Sequence, residues 1–197
     1  VSTSTTTNAN ARSRMRLTDL AYIAVFAALI IVLAFVSIPV GTAGVPIVMQ
    51  NAAIILAGLL LGGRRGFLTA ALFLLLGLLG LPVLAGGKSV IAALPGPTVG
   101  YLVGYLISPF VAGVIAYAAP KKKKGMLIGY LVLGGVVALA VQYTCGAIGL
   151  ALRMGMEWGA AFAAQLAFIP MDSLKLVVAV IIAIGVHSAF PDLRNKA

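Results

Sequence analysis

The 197 residues include one cysteine, one histidine and four acidic side chains, and each scarcity removes a class of function. A lone Cys145 excludes an internal disulfide and any cysteine-paired metal site. Flanked by Thr144 and Gly146 in an apolar stretch, it reads as a small buried thiol. One histidine and one cysteine cannot assemble a metal-ligand set, so neither a metal nor another cofactor is expected. His187 falls at the inner end of the last apolar stretch and Cys145 in the outer half of the one before, which separates any thiol–imidazole dyad. Intramembrane aspartyl catalysis needs two carboxylates at one level, and only Asp172 lies inside an apolar run. Gly87-Lys88-Ser89 ends like a phosphate-binding loop, but the required first glycine is Pro82 and the triplet follows an apolar helix, not a strand. The chain is therefore expected to be no enzyme and to carry no ATPase of its own.

What the chain has in quantity is apolar surface. With 62% apolar and 9% charged residues and a mean hydropathy of +1.14, it reads as an all-α integral membrane protein. A helix of about 20 residues crosses a hydrocarbon core, and six such helices are expected, at about residues 20–38, 47–62, 67–81, 98–118, 126–152 and 160–187. The basic residues alternate in step with these spans. Arg12, Arg14, Arg16, Arg64, Arg65, Lys121 to Lys124, Arg194 and Lys196 share one side, against Lys88 and Arg153 on the other. By the positive-inside rule the crowded side is cytoplasmic, and both termini lie there. This accounts for the net charge of +10 without nucleic acid, for which there is neither aromatic interleaving nor a soluble domain. Residues 1–18 are expected to be a flexible cytoplasmic tail before an uncleaved first helix, 19–190 the transmembrane domain and 191–197 a second tail.

Along the spans, small and polar residues mark places of interest. Ala21, Ala24 and Ala28 form one stripe of the first helix, and Gly58 and Gly62 a small pair in the second, where another helix can approach. Gln50 and Asn51 open the second span; Gln50 can solvate a helix end or meet a ligand. Gly63-Arg64-Arg65-Gly66 is expected to be a tight inner turn, and the third span to face lipid and neighbours alike. Residues 82–97 form the longest outer connection, a length often used for lids and binding loops. Gly96, Gly100, Gly104 and Ser108 give the fourth span a flat face, for packing or for a ligand. Tyr101 and Tyr105 beside it can be interfacial anchors or a pocket wall. Gln142, Tyr143 and Thr144 lie in the outer half of the fifth span; Glu157 and Trp158 lie at headgroup level.

The organising feature is Pro170-Met171-Asp172-Ser173-Leu174-Lys175, a carboxylate and an ammonium three residues apart within an apolar run. Each charge at bilayer depth costs about 2.5–3.5 kcal/mol on insertion scales. Pro170 is expected to bend the helix and free a carbonyl near residue 166. Asp172 and Lys175 fall on one helix face, and three readings are open: an internal salt bridge, a clamp in which Asp172 accepts from a ligand N–H while Lys175 donates to its carbonyl or carboxylate, or a proton-coupling site at Asp172.

Five stretches in order, Gly-Val-Pro-Ile-Val-Met-Gln (44–50), Ala-Gly-Leu-Leu-Leu-Gly-Gly-Arg-Arg-Gly (57–66), Leu-Gly-Leu-Pro-Val-Leu-Ala-Gly-Gly (79–87), Gly-Pro-Thr-Val-Gly-Tyr (96–101) and Phe-Ile-Pro-Met-Asp-Ser-Leu-Lys (168–175), resemble the BioY family over about residues 17–190. That family comprises the biotin-binding S components of energy-coupling factor (ECF) transporters. The resemblance implies a six-helix S-component fold in a prokaryotic cell membrane that captures biotin from outside. It also implies a transmembrane coupling subunit and two cytoplasmic ATPase subunits as partners, with Ala24 and Ala28 at the docking face. Asp172 and Lys175 would meet the ureido head of biotin, with Gln50, Thr98 and Tyr101 around it and Lys88 or Arg153 toward the carboxylate. Met171 departs from the family pattern, where glycine is expected. An S component for another vitamin, or a stand-alone proton-coupled carrier using Asp172, are the alternatives.

Overall fold

The computed structural model describes residues 17–38, 45–120, 124–191 and 193. The basic residues Arg12, Arg14, Arg16, Lys121 to Lys123, Arg194 and Lys196, and most of both expected tails, lie outside the described residues. The described chain is built of helices: α1 (Leu17–Ala34), α2 (Gln50–Leu61), α3 (Gly63–Leu78), the single turn α4 (Val90–Ala93), α5 (Val99–Tyr117), α6 (Lys124–Met154), α7 (Trp158–Ala163) and α8 (Ile169–Ala189). Two two-residue strands, β1 (Ser37–Ile38) and β2 (Ile47–Val48), pair antiparallel with Ser37 opposite Val48.

Among the described residues, four helices are long and apolar enough to cross a membrane: α1, α5, α8 and residues 125–154 of α6. Their outward faces are apolar, with Val25, Val32, Val103, Val114, Leu133, Val177 and Ile181 all exposed. A chain folded in water would hide such surface; in a bilayer it faces lipid. The other two expected spans are shorter. α2 has 12 residues and α3 has 16, rises of about 18 and 24 Å at 1.5 Å per residue. α2 is buried nearly all round, with Ala53 to Leu61 inaccessible; α3 buries Thr69, Ala70, Phe73 and Leu74 and exposes Phe67, Leu75 and Leu78.

Several boundaries differ from the sequence reading, each for a local reason. The first helix stops at Ala34, not Ile38, because the backbone from Val36 to Ile38 pairs instead with residues 47–49. The inner turn is the single residue Gly62, with φ +83°; Gly63 to Gly66 already form the first turn of α3. Gly66 is there for packing, since a Cβ on it would lie 2.8 Å from Gly58 Cα. Arg65 is buried and ion-pairs with Asp19 at 2.7 Å, which ties α3 to α1. The connection 82–97 has its own structure: a 3-10 turn (Ala85–Gly87), a bridge from Leu84 to Lys88 and α4, capped by Ser89. The expected last helix, 160–187, is broken. α7 is capped by Glu157, a 3-10 turn (Ala164–Ala167) follows, and α8 begins with Pro170 in its first turn. Pro170 thus starts a helix instead of bending one, a position where its missing N–H is not needed.

The flat face of α5 packs against α6. A Cβ on Gly100 would lie 2.8 Å from Gly149 Cα, and one on Gly104 would lie 2.9 Å from Gln142 Cα. Lipid tails give helices no hydrophobic reason to associate, so close backbone approach has to supply the contact energy. Replacing Gly100 with alanine should therefore lower the thermal midpoint of the detergent-solubilised protein, overpacking costing about 1–3 kcal/mol. Gly129→Ala, where an added carbon meets nothing within 4 Å, should hold or raise it; equal midpoints would show that the α5–α6 approach does not depend on glycine.

Candidate ligand-binding site

The break before α8 places Asp172 in the first turn of that helix, where the macrodipole favours a negative charge. Lys175 follows one turn later on the same face, and both side chains are buried, at 5% and 6% exposure. Lys175 Nζ donates to Asp172 Oδ1 at 2.8 Å, to the Val48 carbonyl at 2.7 Å and to Asn51 Oδ1 at 3.3 Å. An ammonium has three N–H donors, and these three acceptors use them all. The other carboxylate oxygen, Oδ2, accepts from the Tyr143 hydroxyl at 2.8 Å. The pair is thus more than an isolated salt bridge: it fastens α8 to the strand segment, to α2 and to α6.

A cavity of about 130 Å³ lies beside it, walled by Val45 and Pro46, by Gln50 of α2, by Leu84 and Lys88 of the connection 82–97, by Thr98 and by Tyr101 and Tyr105 of α5. It adjoins a smaller inner chamber of about 30 Å³, which shares Tyr101 and Tyr105 and reaches Asn51, Gln142, Tyr143 and Asp172. Asp172 therefore forms part of the floor, while Lys175 lies behind it against Asn51, Leu139 and Leu176.

Tyr101 is held on every side. Its hydroxyl donates to Gln165 Oε1 at 2.7 Å, and Gln165 is itself oriented by donating from Nε2 to the Ala161 carbonyl at 3.0 Å. Phe168 meets its ring edge-on at 6.2 Å, and α6 leaves space for it only because residue 146 is glycine, where a Cβ would overlap the ring. Gln50 donates from Nε2 to the Val83 carbonyl at 2.9 Å, which leaves its amide oxygen to offer a ligand. Thr98 makes no cap hydrogen bond at the start of α5, so its hydroxyl is also available.

The structure thus gathers Asp172, Gln50, Thr98, Tyr101 and Lys88 around two adjoining cavities that share wall residues, with Lys88 exposed and Lys175 behind Asp172. Arg153, at the end of α6, lines neither chamber. Ala24 and Ala28 lie elsewhere, exposed together on α1. Tyr101 and Tyr105 are pocket walls, not interfacial anchors. Tyr143, Asn51 and Gln165 were not picked as site residues from sequence, although each is a polar side chain in an apolar helix, which was the available signal. No group of three or more metal-ligating side chains occurs among the described residues.

Comparison with known proteins places these features. The family model described as "BioY family" matches residues 6–192. The chain is 35% identical over 190 residues to the biotin transporter BioY of Rhizobium etli, covering 93% of this chain and 100% of that one. It is 34% identical over 168 residues to a biotin transporter BioY of Lactococcus lactis subsp. cremoris, covering 85% and 89%. Among solved structures, the S-component for biotin from an ECF-type ABC transporter matches with a TM-score of 0.76 at 32% identity, over 87% of this chain and 91% of that one. ThiT from Listeria monocytogenes matches with a TM-score of 0.64 at 18% identity, over 91% and 98%, a likeness of fold.

The network predicts an asymmetry in stability. Lys175→Met leaves Asp172 buried without its counter-ion and should cost about 3–5 kcal/mol. Adding Asp172→Asn in the same chain should return much of that loss, read as the denaturant midpoint in detergent. A double variant no more stable than Lys175→Met alone would show that the ammonium serves Val48 and Asn51 more than Asp172.

Proposed function

This chain belongs to the BioY family, and from that premise we propose that it captures biotin from the outer side of a prokaryotic cell membrane as the substrate-binding subunit of an ATP-driven ECF transporter. The observation that carries the reading is a buried Asp172, held by one hydrogen bond on each oxygen with lone pairs to spare, in the lining of a cavity, in the fold of a biotin S-component. ATP hydrolysis is assigned to a separate pair of cytoplasmic ATPases acting through a transmembrane coupling subunit. Ala24 and Ala28, side by side and exposed on α1, are small enough for a helix of that subunit to lie close against them.

In this reading the fold has six transmembrane segments with both termini cytoplasmic, α2 crossing as a short helix buried among its longer neighbours and α3 as a short helix with one face outward. Arg64 and Arg65 then lie inside, and Lys88 outside at the cavity mouth. Biotin enters ring first. Its ureido group presents N–H donors beside a carbonyl, and Asp172 accepts from an N–H. Lys175 serves the site from behind, by neutralising and orienting the carboxylate. Gln50, Thr98 and Tyr101 contact the bicyclic head, and the valerate carboxylate extends toward Lys88, the one cationic side chain among the described residues that line this cavity. A stand-alone proton carrier finds no support in a carboxylate whose oxygens are both hydrogen-bonded, in a chain whose other acids, Asp19, Glu157 and Asp192, lie outside the apolar run.

Calorimetric titration of the purified protein should give submicromolar binding of biotin alone among a vitamin panel, and Asp172→Asn should weaken it at least about 30-fold, in line with loss of a charge-assisted hydrogen bond. Binding of a different vitamin, or unchanged affinity in the variant, would displace this assignment. In cells that supply the coupling and ATPase subunits, Ala24→Trp with Ala28→Trp should preserve biotin binding and abolish uptake. Intact uptake would remove α1 as the docking face.

A further inference from the structure

We propose that Asn51 is a specificity-determining ligand contact of the inner chamber, its amide Nδ2 donating to the ureido carbonyl, and that Lys175 is the residue that positions it. The proposal rests on the reading of the chain as a biotin-binding subunit. It starts from the orientation of one side-chain amide. Asn51 Oδ1 meets two groups that can only donate: the Lys175 ammonium at 3.3 Å and the backbone N–H of Ala52 at 2.9 Å. The atom facing both must be the oxygen, so the amide cannot turn over, and its NH₂ is fixed on the other side.

Among the described residues that NH₂ has no hydrogen-bond partner, and it is not sealed from solvent either. Asn51 is nevertheless buried, at 7% exposure, and lines the inner chamber with Asp172, Tyr101 and Gln142. No protein group claims this donor, so a ligand acceptor entering the chamber can take it in place of solvent.

The surrounding polar groups complete the pattern. The ammonium holds Asp172 Oδ1 and Asn51 Oδ1 at once, so the carboxylate and the amide sit side by side around Lys175. The Tyr101 hydroxyl, whose proton goes to Gln165, offers a lone pair. Asp172 and Tyr101 therefore present acceptors and Asn51 presents a donor, the complement of a carbonyl flanked by two N–H groups. Lys175 cannot supply the carbonyl donor without giving up Val48, Asn51 or Asp172, so Asn51 takes the role that spacing alone would give to the lysine.

The test compares biotin with 2-iminobiotin, in which the carbonyl oxygen is replaced by a nitrogen and the head becomes a cationic cyclic guanidine, all donors and no acceptor. Both are titrated calorimetrically at neutral pH into the detergent-solubilised wild type, Asn51→Asp and Asn51→Ala. Wild type should prefer biotin by about tenfold or more, the scale of one hydrogen bond to a buried group. Asn51→Asp keeps shape and the lysine contact but replaces the donor with an acceptor. It should weaken biotin by about tenfold and narrow or invert the preference. Asn51→Ala should weaken biotin and lose the discrimination, and it decides the matter if the aspartate variant does not fold. A merely structural role would lower both affinities together and leave their ratio unchanged. Wild-type binding of biotin with a ratio unmoved in the folded variants overturns this proposal and leaves the capture reading standing. Absence of biotin binding in the wild type overturns both.

Discussion

The ammonium of Lys175 is the point on which the rest of the site depends. A cation in an apolar interior is tolerated only where every donor is met. The three acceptors that meet it come from a strand segment, a second helix and the first turn of its own helix. They lie at Val48, Asn51 and Asp172, up to 127 residues away in sequence. Satisfying one charge therefore fixes the relative placement of β2, α2 and α8. The break before α8 follows the same logic. A continuous helix through residues 160–187 would hold Asp172 in mid-helix, away from any terminus. Starting a new helix at Ile169 puts the carboxylate in the first turn, where unpaired backbone N–H groups favour it.

Small residues carry the remaining burden. Gly100 and Gly104 bring α5 onto α6 at backbone distance, and Gly146 opens the gap that Tyr101 fills. One helix pair thus packs tightly through one set of glycines and walls a cavity through another. On α2 and α3, Gly58 and Gly66 approach each other in the same manner, near the Pro109 carbonyl of α5. Helices of 12 and 16 residues persist here because they are packed against longer neighbours. α2 is buried nearly all round, while α3 packs on one face and turns Phe67, Leu75 and Leu78 outward.

The class of protein was legible from composition, and the central pair from spacing, because charge in an apolar run is a strong contrast. Element ends were less legible. Where nearly every residue is apolar, periodicity carries little information about which face is inward, and Gly62, Gly63 and Gly66 look alike until backbone dihedrals separate the turn from the packing contacts. The hairpin of β1 and β2 and the interruption at 164–167 were missed for that reason. Asp172 and Lys175 could be read as facing each other, since three residues make one turn. That the lysine's remaining donors go to Val48 and Asn51 could not, because those partners are long-range. Tyr143, Asn51 and Gln165 were visible as polar residues in apolar helices, yet only tertiary contact gives them work to do.

The two apolar clusters of the fold bear on what the subunit can do with a ligand. The outer cluster, around Phe73, Tyr101 and Leu150, surrounds the cavity. The second, around Ile55, Leu59, Leu131, Ala179 and Ala183, fills the space beyond the Asp172–Lys175 floor with side chains at 0–3% exposure. α2 and α8 run in the same direction through it, paired at one end by Asn51 and Lys175 and at the other by the Leu59 carbonyl and His187. The Tyr117 hydroxyl donates to the Leu60 carbonyl beside that far end. A molecule resting on Asp172 therefore meets a close-packed interior of crystal-like density. Passage straight through would require parting α2 from α8 and stripping Lys175 of its acceptors. The cavity is thus polar at its base and backed by packed apolar side chains, which leave no straight path between α2 and α8.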